Sequence, residues 1–209
     1  MRDTSAQRAP LIWQRTDTVG TELVFPVGND PRAASGSAVI AGPVPHTKRW
    51  HAELDADAVV RDLTVTCEGG DWNRTLRLAR DPEHGWTCRT EETGDLDGAL
   101  TDGGHRGAPL PGIDDSTRLH PDAIIRLSDS PIFLTWALRR LRLAAGDRAV
   151  AAPTIRILTP SLVVLPGVST YQLVSEHRLR VSGDEPASGY ELDDDRVVTY
   201  QPARLRLAH

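Results

Sequence analysis

Lysine is almost missing from this 209-residue chain: of its 24 lysines and arginines, only Lys48 is lysine. The skew reads as the codon bias of a GC-rich genome. Net positive charge is also missing. The formal charge is −5 and the isoelectric point about 5.8, which argues against nucleic acid as a partner, since that binding rests on neutralising phosphates. No apolar run approaches the roughly 18 residues needed to span a bilayer. The longest aliphatic stretch, Leu162-Val163-Val164-Leu165, is strand-sized. The opening Met1–Arg8 lacks the apolar core of a signal peptide, so the expected location is cytoplasmic, with no transmembrane segment. Hydrophobic residues are 39% and charged residues 25%, which suits a globular chain with a real core.

Cysteine is scarce, with Cys67 and Cys88 alone. If 60–67, 72–80 and 85–90 form a three-strand meander, the two lie on its outer strands. At about 4.8 Å per strand their Cα atoms sit roughly 10 Å apart, beyond the reach of a disulfide. Both are expected to be reduced core residues, and they make no zinc framework. The chain also lacks a nucleophile elbow, a P-loop, a dinucleotide glycine motif and H-E-x-x-H. No cofactor and no metal are expected.

Period-2 alternation is what the chain has in abundance. Leu63, Val65 and Cys67 alternate with Asp62, Thr64 and Thr66. A turn at Glu68–Asp71 leads to Trp72, Arg74, Leu76 and Leu78, and another at Asp81–Gly85 leads to Trp86–Arg89. Such hairpin ladders are antiparallel. Further strands are predicted at Leu11–Arg15, Gly20–Phe25, Gly36–Ala41, Arg49–Leu54, Ile155–Ile157, Leu162–Leu165, Tyr171–Val174, Arg178–Val181 and Arg196–Tyr200. Arg204–Leu207 is a candidate edge, and Asp193–Asp195 is a hairpin turn.

A single segment carries a helical period. Leu134, Ala137, Leu138 and Leu141 share one face, which predicts a helix over about 131–143. Ser130 is the expected N-cap and Pro131 the first helical residue, with Gly146 as terminator. Thr135 and Arg139 fall on the opposite face and Trp136 on the flank. Residues 94–118, rich in Gly, Asp and Pro, read as a long flexible surface loop. The whole, 1–209, reads as a single domain.

Side chains with chemistry are scattered. The seven histidines read as solvated turn residues, and Asp95-Leu96-Asp97-Gly98 as a plain turn, because it lacks the oxygens that complete a calcium loop. Tryptophan dominates the few aromatics, and its large apolar face with one donor suits pocket walls as well as cores. Trp72, Trp86, Trp136 and Tyr171 are candidate ligand-binding residues, together with Arg139 and Arg140, which could meet an anionic or sugar headgroup.

These segments together resemble a known family. Trp13 with Gly20-Thr21-Glu22 resembles its opening strand pair, and Asp71-Trp72-Asn73-Arg74 with Gly85-Trp86 its central hairpin. Leu119–Leu143, containing Ser130-Pro131-Ile132-Phe133 and Arg139-Arg140-Leu141, resembles its most characteristic block. Pro160–Val164 with Tyr171, Gly189–Leu192 and Asp195–Pro202 match the closing blocks. The chain, from about 11 to 207, is similar to the glycolipid-binding family of bacteria. It departs from that family in the helix block, where Phe133, Leu134 and Trp136 stand at positions usually polar. The resemblance implies a mainly β fold: a long antiparallel sheet curled into a spiral β-roll around a single α-helix, reminiscent of lipoprotein-carrier folds.

The expected function is non-catalytic binding of an amphipathic small molecule, such as a glycolipid or an acyl-chain ligand. The alternatives are a structural or interaction protein whose core is filled by its own helix and, third, a small hydrolase. The interior around Trp136 separates the first two: an apolar cavity above about 300 Å³ favours a ligand, and a filled interior favours interaction.

Overall fold

The computed structural model describes residues 10–26, 33–81, 83–183 and 186–208. The N-terminal reading on Met1–Arg8 and His209 lie outside the described residues. Seven strands run first: β1 (Leu11–Arg15), β2 (Gly20–Pro26), β3 (Ala33–Ile40), β4 (His46–Leu54), β5 (Val60–Glu68), β6 (Asn73–Asp81) and β7 (Gly85–Thr93). A short helix α1 (Leu96–Asp102) and a 3₁₀ turn at Ser116–Arg118 follow. Then come β8 (Ile124–Leu127), α2 (Ile132–Leu141), β9 (Val150–Leu158), β10 (Val163–Ser175), β11 (Arg178–Ser182), β12 (Ser188–Leu192), β13 (Val198–Gln201) and β14 (Leu205–Ala208).

All fourteen strands belong to one sheet, ordered β7-β6-β5-β4-β3-β2-β1-β14-β13-β12-β11-β10-β9-β8. Two meanders are thus sewn together where the first strand pairs with the last: Trp13 lies opposite Leu207. The sheet does not close, and β7 and β8 are its edges. It curls instead, and α2 lies in the curl. Trp136 of α2 packs on Trp50 of β4, while the Thr135 hydroxyl donates to Arg196 O at 3.2 Å beside β13. The helix therefore touches both halves, as a spiral β-roll requires.

Alternation decides which side chains enter the roll. On β4, His46, Lys48, Trp50, Ala52 and Leu54 are buried while Arg49, His51 and Glu53 face out. Trp13, Leu63, Leu76 and Tyr171 fill the same interior from their own strands. Cys67 on β5 and Cys88 on β7 are separated by β6 and unbridged.

Several expectations need correcting. The sheet is not wholly antiparallel, because β8 and β9 are parallel and α2 is their crossover. A parallel pair demands such a connection. The predicted strands at Leu162–Leu165 and Tyr171–Val174 lie almost wholly within one 13-residue strand, β10. The 94–118 segment contains α1, whose Leu96 and Leu100 are buried and whose N-cap is Asp95, accepting from Gly98 N at 2.8 Å. Its far end is tied down by a bridge between Gly112 and Val163 and by Arg74, which donates to Pro109 O at 2.6 Å. Two helices are described, not one. Helix α2 ends at Arg142, in the left-handed region at φ 50°, four residues before Gly146. It is buried almost all round: Thr135 is as inaccessible as Leu138. Among the described residues no helix is long and apolar enough to cross a membrane.

Candidate functional site

Where α2 begins, the interior turns polar. Lys48 is wholly buried, and its Nζ donates to the Ser130 hydroxyl at 2.7 Å and to Ser128 O at 3.1 Å. It pairs with Glu22 Oε1 at 3.2 Å. That carboxylate oxygen also accepts from the Ser130 hydroxyl at 2.6 Å and from Trp50 Nε1 at 3.0 Å. Glu22 on β2 and Lys48 on β4 are bridged across the intervening Ala38, which pairs with both positions. A small residue there lets the two long side chains meet. A buried ion pair costs desolvation and persists only when further hydrogen bonds satisfy it. Here Lys48 ties β4, and the Ser130 hydroxyl ties β2, to the turn before α2, while Trp50 joins β4 to Glu22 on β2. The Ser130 hydroxyl is spent on this network, so it does not cap the helix, and the N-terminal position of α2 falls to Pro131 with no side-chain cap.

Ser128 and Ser130 form part of the wall of a half-open cavity of about 740 Å³. Leu127, Phe133, Leu134, Leu158 and Leu205 supply its apolar lining, and Arg126, Arg156 and Arg204 its cationic groups. Arg126 and Arg156 are register partners across β8 and β9, so both guanidinium stems rise from the same level. At the other end Asp129, at φ 59°, precedes the helix. Its carboxylate meets Arg15 at 2.6 Å and Arg204 at 3.2 Å, and Arg15 also holds Asp17 at 2.6 Å. Burial by itself would raise the Asp17 carboxyl, but the Arg15 hydrogen bond and charge hold it below the usual range.

A second hollow of about 400 Å³ shares Asp129, Thr159 and Arg204 with the first as lining and is bordered further by Arg15, Asp17, Thr18 and His46. His46 is 6% exposed, not the solvated turn residue its sequence context suggests. Its ring tilts against Trp72 at 6.0 Å between centroids. Its Nδ1 lies 2.7 Å from Val44 O, while Nε2 is buried with no partner. Burial lowers its pKa, and the neighbouring Lys48 and Arg15 add to that against Val44 O and Asp129.

The six residues expected to bind ligand are not brought together, and none lines the large cavity. Trp72 is buried behind His46. Trp86 is buried and donates to His120 O at 3.0 Å. Trp136 packs edge-on against Trp50 and Phe133, at 6.0 and 4.8 Å. The gap beside Trp136 and Arg140 is about 10 Å³, so the interior around Trp136 is filled. Arg139 is exposed on α2, and Arg140 donates to Ala123 O at 3.2 Å. Tyr171 is fully buried, and burial raises its hydroxyl pKa. Of the residues that do shape the site, Glu22, His46 and Lys48 left one signal in the sequence, polar side chains in the inward phase of alternating strands, while Ser130 lies in the turn before α2 and left only its resemblance to a cap.

A family model described as "Putative glycolipid-binding" matches residues 10–206. The chain belongs to that family. Among solved structures it is similar to a DUF1089 family protein from Pseudomonas aeruginosa, with a TM-score of 0.63 and 19% identity over 88% of this chain and 89% of that one. At that identity the likeness speaks for the fold alone. No curated protein matches the sequence.

Proposed function

We propose that this member of the glycolipid-binding family is a non-catalytic binding module for an amphipathic small molecule, held in the cavity at the N-terminal end of α2. One observation carries the reading: a cavity of about 740 Å³ whose apolar wall of Leu127, Phe133, Leu134 and Leu158 sits beside arginines. That volume lies in the range of small-molecule sites. An acyl or similar chain packs on the apolar wall, and a polar head meets the charged end. The carboxylates there suit binding better than catalysis. Asp17 and Asp129 are both engaged by Arg15, whereas a glycosidase acid needs a carboxyl held protonated.

The test is native mass spectrometry of gently purified protein, with titration of decanoic acid and octyl glucoside followed by tryptophan fluorescence. Leu134→Trp, which fills the cavity from α2, should weaken both at least tenfold while leaving the circular dichroism spectrum unchanged. Finding neither a retained ligand nor a saturable titration would sink the proposal. The second reading, an interaction protein plugged by its own helix, is favoured by the filled interior around Trp136, and it would then stand.

A further inference from the structure

We infer that β7, the open edge of the sheet, is a dimerisation strand. It pairs antiparallel with β7 of a second copy of this chain about a two-fold axis at Thr90, which sets Arg89 opposite the partner's Glu91. The inference goes beyond the binding reading above and does not depend on it.

The two edges of the sheet differ. An edge presents unpaired N–H and C=O groups, and natural proteins blunt such edges with short strands, proline, lysine or bulges. Strand β8 is blunted: it has four residues, and Ile124, Ile125 and Leu127 are buried. Strand β7 is not. It runs nine residues without proline or lysine, in unbroken register with β6 from Asp81 opposite Gly85 to Asn73 opposite Thr93. No backbone hydrogen bond joins it to a described segment other than β6. Every residue from Arg89 to Thr93 is exposed. Gly112 lies against the inward-phase Cys88 and Thr90, and Trp86 donates to His120 O. The chain thus covers the inner face of β7 and leaves its edge open.

Charge names the occupant. Thr87, Arg89, Glu91 and Thr93 stand on the outer face, out of phase with the buried Trp86. Arg89 lies opposite Arg77 of β6, and like charges directly opposed disfavour each other. Arg77 is already held by Asp62 at 2.8 Å. Glu92, in the inward phase, is taken by Arg74 at 3.1 Å. Among the described residues neither Arg89 nor Glu91 makes an ion pair. A two-fold axis at Thr90 satisfies both in one register: Arg89 meets the partner's Glu91, Glu91 meets the partner's Arg89, and Thr87 meets the partner's Thr93. Symmetry makes each contact twice, as an isologous interface requires. The neighbouring registers are disfavoured. An axis one residue earlier sets Arg89 against the partner's Arg89, and one residue later sets Glu91 against the partner's Glu91. The strand is therefore complementary to itself in one alignment.

Sedimentation equilibrium of the full chain from about 5 to 500 µM tests this, because a small edge contact yields a dimer whose population rises with concentration. Wild type should move from monomer toward dimer across that range. Arg89→Glu and Glu91→Arg each turn two attractive cross-strand pairs into two repulsive ones, and each should weaken the dimer about tenfold or more. The double variant Arg89→Glu/Glu91→Arg rebuilds both pairs with the signs exchanged and should return to within about threefold of wild type. Both positions are exposed, so circular dichroism should not change. The register has its own readout. In a Cys88→Ser background, Thr90→Cys should form an interchain disulfide on mild oxidation, since opposed Cα atoms in an antiparallel pair lie about 4.5–5.5 Å apart. Thr87→Cys in the same background should not. A chain that stays monomeric throughout overturns the proposal and leaves the binding reading untouched. A dimer that neither single variant weakens, or that the double variant fails to restore, overturns it too, as does crosslinking at position 87 in place of 90.

Discussion

Replacing Lys48 by methionine tests the polar centre of the roll. The substitution keeps most of the stem's volume and removes three contacts at once: to the Ser130 hydroxyl, to Ser128 O and to Glu22. Glu22, 3% exposed, keeps Ser130 and Trp50 as donors but loses its countercharge. Breaking a buried pair from one side costs about 3–5 kcal/mol. For a domain of this size that lowers the melting temperature by roughly 10 °C. Replacing both partners differs in kind, since no charge is stranded. In Glu22→Gln/Lys48→Met the glutamine still accepts from Ser130 and Trp50, so the double variant should recover at least about 2 kcal/mol of the summed single losses. Urea denaturation of wild type, both single variants and the double variant at pH 7 measures that coupling. The reasoning fails if Lys48→Met lies within about 1 kcal/mol of wild type, or if the single losses simply add. Because Lys48 is the only lysine, amine-reactive labelling gives a second readout: its side chain should stay unmodified in the folded protein and react once the roll opens.

Two further outcomes follow from buried titratable groups. Burial pushes the Cys67 thiol up to about 12 and raises Cys88 less far, since Cys88 is only half-buried. The thiolate is the reactive form, so iodoacetamide at pH 8 should alkylate Cys88 slowly and Cys67 only on unfolding; equal rates in the folded protein would contradict this. His46 is held neutral by burial, its folded pKa below the ordinary 6.5. The unfolded chain then binds the extra proton first, so stability is lost as pH falls below about 6.5 and on through the lowered folded value. The slope is at most about 1.4 kcal/mol per pH unit from this group. Subtracting the His46→Phe stability profile from that of wild type between pH 7.5 and 5 isolates this contribution from those of the carboxylates, and a flat difference would refute it.

Most of the fold was legible because burial on a sheet obeys a period of two. The hairpin ladder from Val60 to Arg89, the opening pair around Trp13 and Glu22, and the turn at Asp193–Asp195 all emerge from alternation and turn residues, which act over a few positions. The family likeness added the curl and the place of the helix. Local pattern could not reveal which distant segments meet. The pairing of β1 with β14 joins residues nearly two hundred apart, and the parallel β8–β9 pair depends on a crossover. Ser130 reads locally as a cap, yet a carboxylate 108 positions away claims its hydroxyl. The tryptophans announced themselves by size, and size sent them into the core, away from the cavity. By local pattern His46 reads as a turn residue and Lys48 as a product of codon bias. Their phase on β4 points them inward, but only the curled sheet brings Glu22, Asp129 and Arg15 to them, because the geometry of the site is made by curvature, and curvature is a property of the whole sheet.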